Sequence, residues 1–158
     1  MVAVLKTRSE EETREIGRCL GKWVGRGDVL ALYGELGAGK TVLVKGLSQA
    51  LGVEENVRSP SFTIIGEYEG RLPLYHIDLF RMSDVEEILK IGYEEYLYGD
   101  GVCAIEWAEK IENLLPDRRL DIRFYHVDTN ERKIEVASHN MESPPLPAHL
   151  LADSGGQE

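Results

Sequence analysis

The sequence predicts an α/β domain in which helices flank a central mixed sheet, mostly parallel with some antiparallel strands. Three observations support this prediction. The apolar run "DVLALYG" at residues 28 to 34 has the length and composition of a strand that is buried on both faces. A glycine-rich loop and a run of helix formers at residues 40 to 52 follow it directly, as in a strand–loop–helix unit. The segments at 61 to 80 and at 119 to 138 each contain two strand-like runs around a short turn, which predicts antiparallel hairpins.

The remaining elements are predicted from local patterns. Residues 2 to 7 alternate weakly and indicate a short strand. A helix follows, because Ser9 and Glu12 have capping-box spacing and Ile16, Leu20 and Trp23 recur at helical spacing.

The second half of the chain predicts further helices and one more buried strand. Residues 83 to 92 predict a helix with Ser83 and Glu86 in capping-box positions, and residues 93 to 101 either continue it or form a second short helix. Residues 102 to 107 predict a further buried strand, and the helix after it is expected to stop at Pro116.

Composition limits the class of protein. The chain has 158 residues, of which 42% are hydrophobic, which suits one soluble domain with a core of its own. No apolar run approaches the roughly 18 to 20 residues that span a bilayer, and the N-terminus has no signal-peptide pattern, so we expect a cytoplasmic protein without a membrane segment. Cys19 and Cys103 lie in unrelated contexts and predict neither a disulfide nor a metal site. The formal net charge of -10 disfavours direct binding to a nucleic-acid backbone.

The loop after the 28 to 34 strand carries the pattern G-x-x-x-x-G-K-[ST], in which Gly34, Gly39, Lys40 and Thr41 are the fixed positions. Its bare backbone allows successive N–H groups to surround a phosphate at the start of a helix. Lys40 would place its charge between the β- and γ-phosphates, and the Thr41 hydroxyl would ligate Mg²⁺. The position between strand and helix predicts the P-loop NTPase fold.

The same reasoning sets the expected domain organisation. Residues 1 to 138 are predicted to form a single P-loop ATPase domain. Residues 139 to 158 contain Pro144, Pro145 and Pro147 and lack periodicity, so they are predicted to be a flexible C-terminal tail.

Hydrolysis needs a carboxylate near the metal and a group that positions water. Asp78 and Glu106 lie at the ends of two apolar strands, where the ligand crevice of an open α/β sheet forms, so either could reach the Mg²⁺. His76 shares a strand face with Asp78, and a packed or hydrogen-bonded histidine explains it at least as well as a catalytic one.

At this point the chain resembles the TsaE family, the bacterial P-loop ATPases of tRNA threonylcarbamoyladenosine biosynthesis. The resemblance covers about residues 1 to 137. Five segments that follow one another at similar spacing carry it: "GELGAGKT", "SPSFTIIGEY", "YHIDLFR", "GYEEYL" and "CAIEWAEK".

The resemblance implies a role for each matching residue. The nucleotide would be held by Leu36, Gly37, Ala38, Gly39, Lys40, Thr41, Thr63 and Glu10. Of these, Thr63 belongs to the "SPSFT" switch-like loop and would reach toward the γ-phosphate or metal, and Glu10 would lie near the adenine. Thr41 and Glu106 would bind Mg²⁺, and Asp78 would activate or position the attacking water. The catalytic set is then Lys40, Asp78 and Glu106.

The family function implied is an ATPase that acts with a TsaD–TsaB complex in forming N6-threonylcarbamoyladenosine at position 37 of tRNA. ATP and Mg²⁺ are its expected cofactors. Contact with tRNA would be indirect, through the partners, in agreement with the acidic composition. Hydrolysis by the chain alone is expected to be weak, since an arginine in cis or in trans can be worth about 10³ to 10⁵ in rate and only Arg58 and Arg81 are candidates in cis.

Three other functions compete with this one. A nucleotide-dependent assembly module without significant hydrolysis would have the same motifs. A small-molecule kinase would need an acceptor pocket and an arginine-bearing lid, and the only arginine pair, Arg118 and Arg119, precedes a strand. A GTPase switch would be expected to carry N-K-x-D, which is absent from the sequence.

Overall fold

A computed structural model describes residues 2–35, 37–57, 65–90 and 92–152. Its described strands form one seven-stranded sheet in the order β1-β7-β6-β2-β5-β4-β3. The strands are β1 (Val2–Thr7), β2 (Val29–Tyr33), β3 (Ile65–Tyr68), β4 (Leu74–Asp78), β5 (Val102–Glu106), β6 (Arg119–His126) and β7 (Arg132–His139). The helices are α1 (Glu10–Trp23), α2 (Lys40–Ala50), α3 (Val85–Lys90) and α4 (Tyr93–Leu97), with 3₁₀ segments at Ala108–Leu114 and Ala148–Leu150.

The sheet is mixed, as predicted. β2 pairs in parallel with β5 and β6, and β4 pairs in parallel with β5. β3 is antiparallel to β4, and β7 is antiparallel to both β6 and β1. Both predicted hairpins are confirmed, and the architecture is the P-loop NTPase fold.

Helices α1 and α2 cover one face of the sheet. Ser9 caps α1, its hydroxyl accepting the Glu12 N–H at 3.1 Å, while the Glu12 carboxylate accepts from the Arg8 N–H. The predicted stripe faces the core, with Ile16 and Leu20 fully buried and Trp23 partly buried.

Glycine permits the close contact between these two helices. A Cβ on Gly46 of α2 would lie 2.1 Å from the Arg14 carbonyl oxygen of α1, and one on Gly17 would lie 2.1 Å from the Leu43 oxygen. The backbones therefore approach more closely than any side chain would allow, and α1 fixes the position of α2.

Short helices cover the opposite face of the sheet. α3 and α4 are separate, which settles the alternative left open by the sequence, and Gly92 precedes the second at a positive φ of 74°. The helix predicted after β5 is instead a 3₁₀ segment, interrupted at Ile111, where φ is -131°. Its buried side chains, Ala108 and Ile111, are three residues apart, the spacing that one face of a 3₁₀ turn buries. No helix among residues 2–35, 37–57, 65–90 and 92–152 is long and apolar enough to cross a membrane.

The segment expected to be a flexible tail lies partly against the domain. β7 extends to His139, Leu150 is 4% exposed within the core, and the Ala152 N–H donates to the Val4 oxygen at 2.8 Å. The expectation of a flexible tail rested on the prolines and the lack of periodicity. Neither signal reveals the burial of Leu150 or the bridge between Leu151 and Leu5. The last six positions, 153–158, lie outside the described residues.

Candidate nucleotide-binding site

The loop between β2 and α2 has the backbone that a phosphate cradle requires. Gly34, Gly37 and Gly39 have φ values of 145°, 80° and 106°, which side chains disfavour. A Cβ on Gly34 would also lie 3.0 Å from two atoms of Phe124, whereas one on Gly37 would meet no atom within 4 Å. Gly37 therefore borders open space, and its glycine is required by the backbone conformation.

A cavity of about 430 Å³ opens beside this loop, within the range of small-molecule sites. It brings together the sequence-predicted residues Glu10, Gly37, Ala38, Gly39, Lys40, Thr41, Asp78 and Glu106. The other two, Leu36 and Thr63, lie outside the described residues.

The sheet order places both acids beside the loop. β5 lies between β2 and β4, and in the parallel register Asp78 is the partner of Glu106. Both side chains therefore lie at the carboxyl ends of adjacent strands, with Glu106 nearer the P-loop strand.

Thr41 and His76 both form hydrogen bonds with the Glu106 carboxylate. It is 3% exposed, and its Oε2 accepts from the Thr41 hydroxyl at 2.8 Å and lies 2.6 Å from the His76 Nε2. Burial raises the pKa of Glu106, but His76, Thr41 and the nearby Lys40 charge outweigh burial and bring the pKa below its ordinary value. Glu106 is therefore an ionised carboxylate at neutral pH, and it positions the Thr41 hydroxyl.

Asp78 is in a different electrostatic environment. Burial raises its pKa, the Glu106 charge adds to the increase, and the hydrogen bond from the Phe80 N–H opposes it. That bond, 3.0 Å long to Oδ1, orients the carboxyl group. A carboxylate with a raised pKa and a fixed orientation is suited to accepting a proton.

The Lys40 ammonium contacts an aromatic ring and a backbone oxygen. Its ammonium lies 3.7 Å from the centroid of the Trp107 ring and donates to the Gly34 oxygen at 2.5 Å. Burial lowers the Lys40 pKa, and Glu106, Glu109 and Asp78 oppose that effect.

The donor set suits a magnesium ion held jointly with a nucleotide. The Thr41 hydroxyl and the Glu106 carboxylate are hard oxygen ligands in contact with each other at the cavity. No group of three or more His, Cys, Asp or Glu side chains in the described part of the chain could hold a metal alone. This fits Mg²⁺, which takes one or two protein ligands and completes its shell with phosphates and water.

Several residues at the cavity were not identified from the sequence: Thr7, Arg8, Ser9, Thr13, Val42, Thr129, Asn130 and Arg132. Arg132 Nη2 donates to the Gly37 oxygen at 3.5 Å, a contact that joins the β6–β7 hairpin to the P-loop. Ser9, Thr13 and Val42 belong to α1 and α2 or cap them, and their local patterns indicate helix and not a site. Thr129, Asn130 and Arg132 come from the other end of the chain, and no local pattern predicts that they reach the P-loop. Of the two arginines considered in cis, Arg81 is not among the described residues that line the cavity, and Arg58 lies outside the described residues.

Comparison with known proteins agrees with this geometry. The profile of the family "Threonylcarbamoyl adenosine biosynthesis protein TsaE" matches residues 7–134. The tRNA threonylcarbamoyladenosine biosynthesis protein TsaE of Bacillus subtilis (strain 168) is 48% identical over 130 residues, which cover 82% of this chain and 81% of that protein. Its counterpart in Treponema pallidum (strain Nichols) is 41% identical over 131 residues, or 83% of this chain and 97% of that protein.

A solved structure shows the same fold. The crystal structure of Bacillus subtilis YdiB superposes with a TM-score of 0.72 at 41% sequence identity, covering 89% of this chain and 88% of the other. Since the family profile and the relatives each span most of the chain, the protein belongs to the TsaE family.

Proposed function

We propose that this protein binds Mg²⁺ and ATP in the P-loop cavity, hydrolyses the ATP, and supports N6-threonylcarbamoyladenosine formation on tRNA. The observation that carries the proposal is the hydrogen bond of 2.8 Å between Thr41 and Glu106. It joins the P-loop hydroxyl to a strand-end carboxylate at the cavity, and these two oxygens are the groups that would hold a nucleotide-bound Mg²⁺. The names of the relatives supply the pathway.

Each residue of the site has a proposed role. The backbone N–H groups around Gly37 and Gly39 bind the phosphates, and Lys40 leaves the Trp107 ring to neutralise the β- and γ-oxygens. Thr41 and Glu106 would hold Mg²⁺, which would supply positive charge to offset the negative charge that builds up on the phosphates. Asp78 orients the attacking water and accepts its proton, a role for which its raised pKa suits it.

The composition of the cavity favours slow hydrolysis by the chain alone. Arg8 and Arg132 are the described arginines at the cavity. Arg8 is exposed, and Arg132 already bonds the Gly37 oxygen, so neither is fixed to stabilise the transition state. We therefore propose that a TsaD–TsaB complex accelerates turnover. We also propose that this complex binds the tRNA, because the net charge of -10 disfavours direct binding of tRNA by this chain. The cytoplasm, where tRNA is modified, is the proposed location.

The test is ATP turnover by the purified chain, alone and with TsaD–TsaB, together with equilibrium binding of ATP. Lys40→Ala, Asp78→Asn and Glu106→Gln are the site variants, and Lys22→Ala, an exposed lysine at the end of α1, is the matched control. Partner-stimulated turnover that all three site variants lose, and the control keeps, is the expected result.

Two results would contradict the proposal. ATP binding and complex formation without turnover would favour the assembly module. An absence of ATP binding by the wild-type chain would reject the nucleotide site itself.

A further inference from the structure

His76 is fully buried in the sheet at a position that the roles proposed above do not use. It lies in β4, where its register partners are Gly66 of β3 and Ala104 of β5. Its Nε2 lies 2.6 Å from Glu106 Oε2.

The two groups that bond Glu106 share one of its oxygens. The Thr41 hydroxyl and the His76 ring both contact Oε2, at 2.8 Å and 2.6 Å. Since Glu106 is ionised and can only accept, Nε2 is the donor in the second contact. Together the two donors fix one carboxylate oxygen, and neither engages the second oxygen, Oε1.

The other ring nitrogen has no partner. Nδ1 of His76 is buried and makes no hydrogen bond within the described part of the chain. A histidine that served only to join strands would be expected to use both nitrogens, because buried polar atoms are normally satisfied. Within the described residues, the contact with Glu106 is therefore the hydrogen bond that the buried ring makes.

We propose that His76 is a positioning residue, which holds the Glu106 carboxylate so that its second oxygen and the Thr41 hydroxyl are presented together to Mg²⁺. This inference rests on the proposed function, because it assumes that a metal and a nucleotide bind at this cavity. Residues that hydrogen-bond to a metal ligand typically lower the metal affinity of the site by about 10- to 100-fold when they are mutated.

Two substitutions separate the hydrogen bond from the packing. His76→Phe keeps the ring volume and removes the donor. His76→Gln keeps an N–H donor near the position of Nε2. If His76→Phe does not fold, as judged by circular dichroism and thermal melting, His76→Asn replaces it, because its shorter amide does not extend to Oε2.

The measurement is the affinity for Mn²⁺ as a spectroscopic substitute for Mg²⁺, by electron paramagnetic resonance with a non-hydrolysable ATP analogue. Nucleotide affinity without metal is measured beside it by calorimetry. We expect His76→Phe to weaken metal binding about tenfold and to leave the nucleotide affinity without metal unchanged. We expect His76→Gln to restore most of the metal affinity.

Equal losses of metal-free and metal-dependent binding would show a purely structural histidine and overturn the inference. Unchanged metal affinity in His76→Phe would overturn it as well, while leaving the proposed function intact. If the wild-type chain binds neither nucleotide nor metal, the proposed function fails, and the inference fails with it.

Discussion

The Lys40 ammonium lies 3.7 Å above the ring of Trp107, so the P-loop lysine is held by an aromatic side chain from the neighbouring strand end. Trp107 has a left-handed backbone conformation, with φ of 61°, immediately after Glu106. A cation–π contact of this kind is worth about 0.5 to 2 kcal/mol. A nucleotide whose phosphates draw Lys40 into the cavity has to break it.

Tryptophan fluorescence is therefore expected to report nucleotide binding. When Lys40 moves to the phosphates, the Trp107 ring loses the adjacent positive charge and its emission changes. The chain contains a second tryptophan, Trp23, which packs against the core at the end of α1. Titration of ATP into a Trp23→Phe variant should keep the full signal, and the same titration into Trp107→Phe should abolish it. A signal that follows Trp23 would contradict the assignment.

Removal of the ring is expected to strengthen nucleotide binding. In Trp107→Leu the cost of separating Lys40 from the ring disappears, which at about 1 kcal/mol corresponds to about a fivefold lower Kd for ATP. Calorimetric titration measures this, with Phe80→Leu as the control, because the Phe80 ring contacts Trp107 and the ring beside the Lys40 ammonium is that of Trp107. Weaker binding by Trp107→Leu would mean that the indole itself contacts the nucleotide.

Asp78→Asn is expected to abolish turnover and to stabilise the fold at neutral pH. Burial raises the pKa of Asp78, so the folded chain binds this proton more tightly than the unfolded chain. The wild-type fold therefore loses stability as the pH rises from the unfolded pKa, about 3.9, to the higher folded value. Asparagine avoids this loss, and its amide oxygen can still accept from the Phe80 N–H.

Thermal melts of wild type and Asp78→Asn near pH 4 and pH 7 test this. The variant should melt at a higher temperature than wild type at pH 7, and the difference should shrink toward pH 4. Asp100→Asn, at an exposed position, should show neither effect. A lower melting temperature for Asp78→Asn at pH 7 would show that the charged carboxylate stabilises the fold.

Gly46→Ala is expected to destabilise the protein and to weaken nucleotide binding. Alanine favours a helix over glycine by about 1 kcal/mol, but here its Cβ would lie 2.1 Å from the Arg14 oxygen. The helices must separate, at a cost of at least about 1 to 3 kcal/mol, and α2 carries the P-loop with it. Urea unfolding measures the first effect and ATP titration the second.

The control for that experiment is Gly25→Ala. A Cβ at Gly25 meets nothing within 4 Å, so its unfolding free energy should change by no more than about 0.5 kcal/mol. Equal stabilities of the two variants would mean that α1 and α2 tolerate separation.

Leu150→Ala is expected to lower the unfolding free energy by about 2 to 5 kcal/mol, because Leu150 is 4% exposed within the core. Its neighbour Leu151 is 43% exposed, so Leu151→Ala should have a much smaller effect while retaining the backbone bridge to Leu5. Urea denaturation of both variants distinguishes them. If Leu150→Ala is as stable as wild type, the terminal segment contributes nothing to the fold.

The central part of the fold could be predicted because its signals are local. The β2 strand, the glycine loop and α2 are consecutive, and each has its own pattern of apolar or helix-forming residues. Asp78 and Glu106 could be selected because they end apolar strands, and their pairing in the parallel register brings them together.

The parts that could not be predicted depend on distant contacts. Arg132 reaches Gly37 only because β7 folds back along β6 and pairs with β1. Leu150 packs beside β1 at the same edge of the sheet, a contact between the two ends of the chain. The local proline content therefore predicted a flexible tail. His76 was visible in the sequence, but only its distance to Glu106 separates a positioning role from simple packing.

The sheet order also has a consequence for synthesis on the ribosome. Of the described strands, β1 is translated before all others and its partner β7 after all others, and β2 is translated before both of its partners, β5 and β6. A nascent chain thus carries its complete P-loop sequence long before any neighbour can shape it. Because these pairings are far apart in the sequence, folding is expected to be slow and largely post-translational. A chain truncated before β7 would then be expected to bind nucleotide poorly, because its sheet would be incomplete.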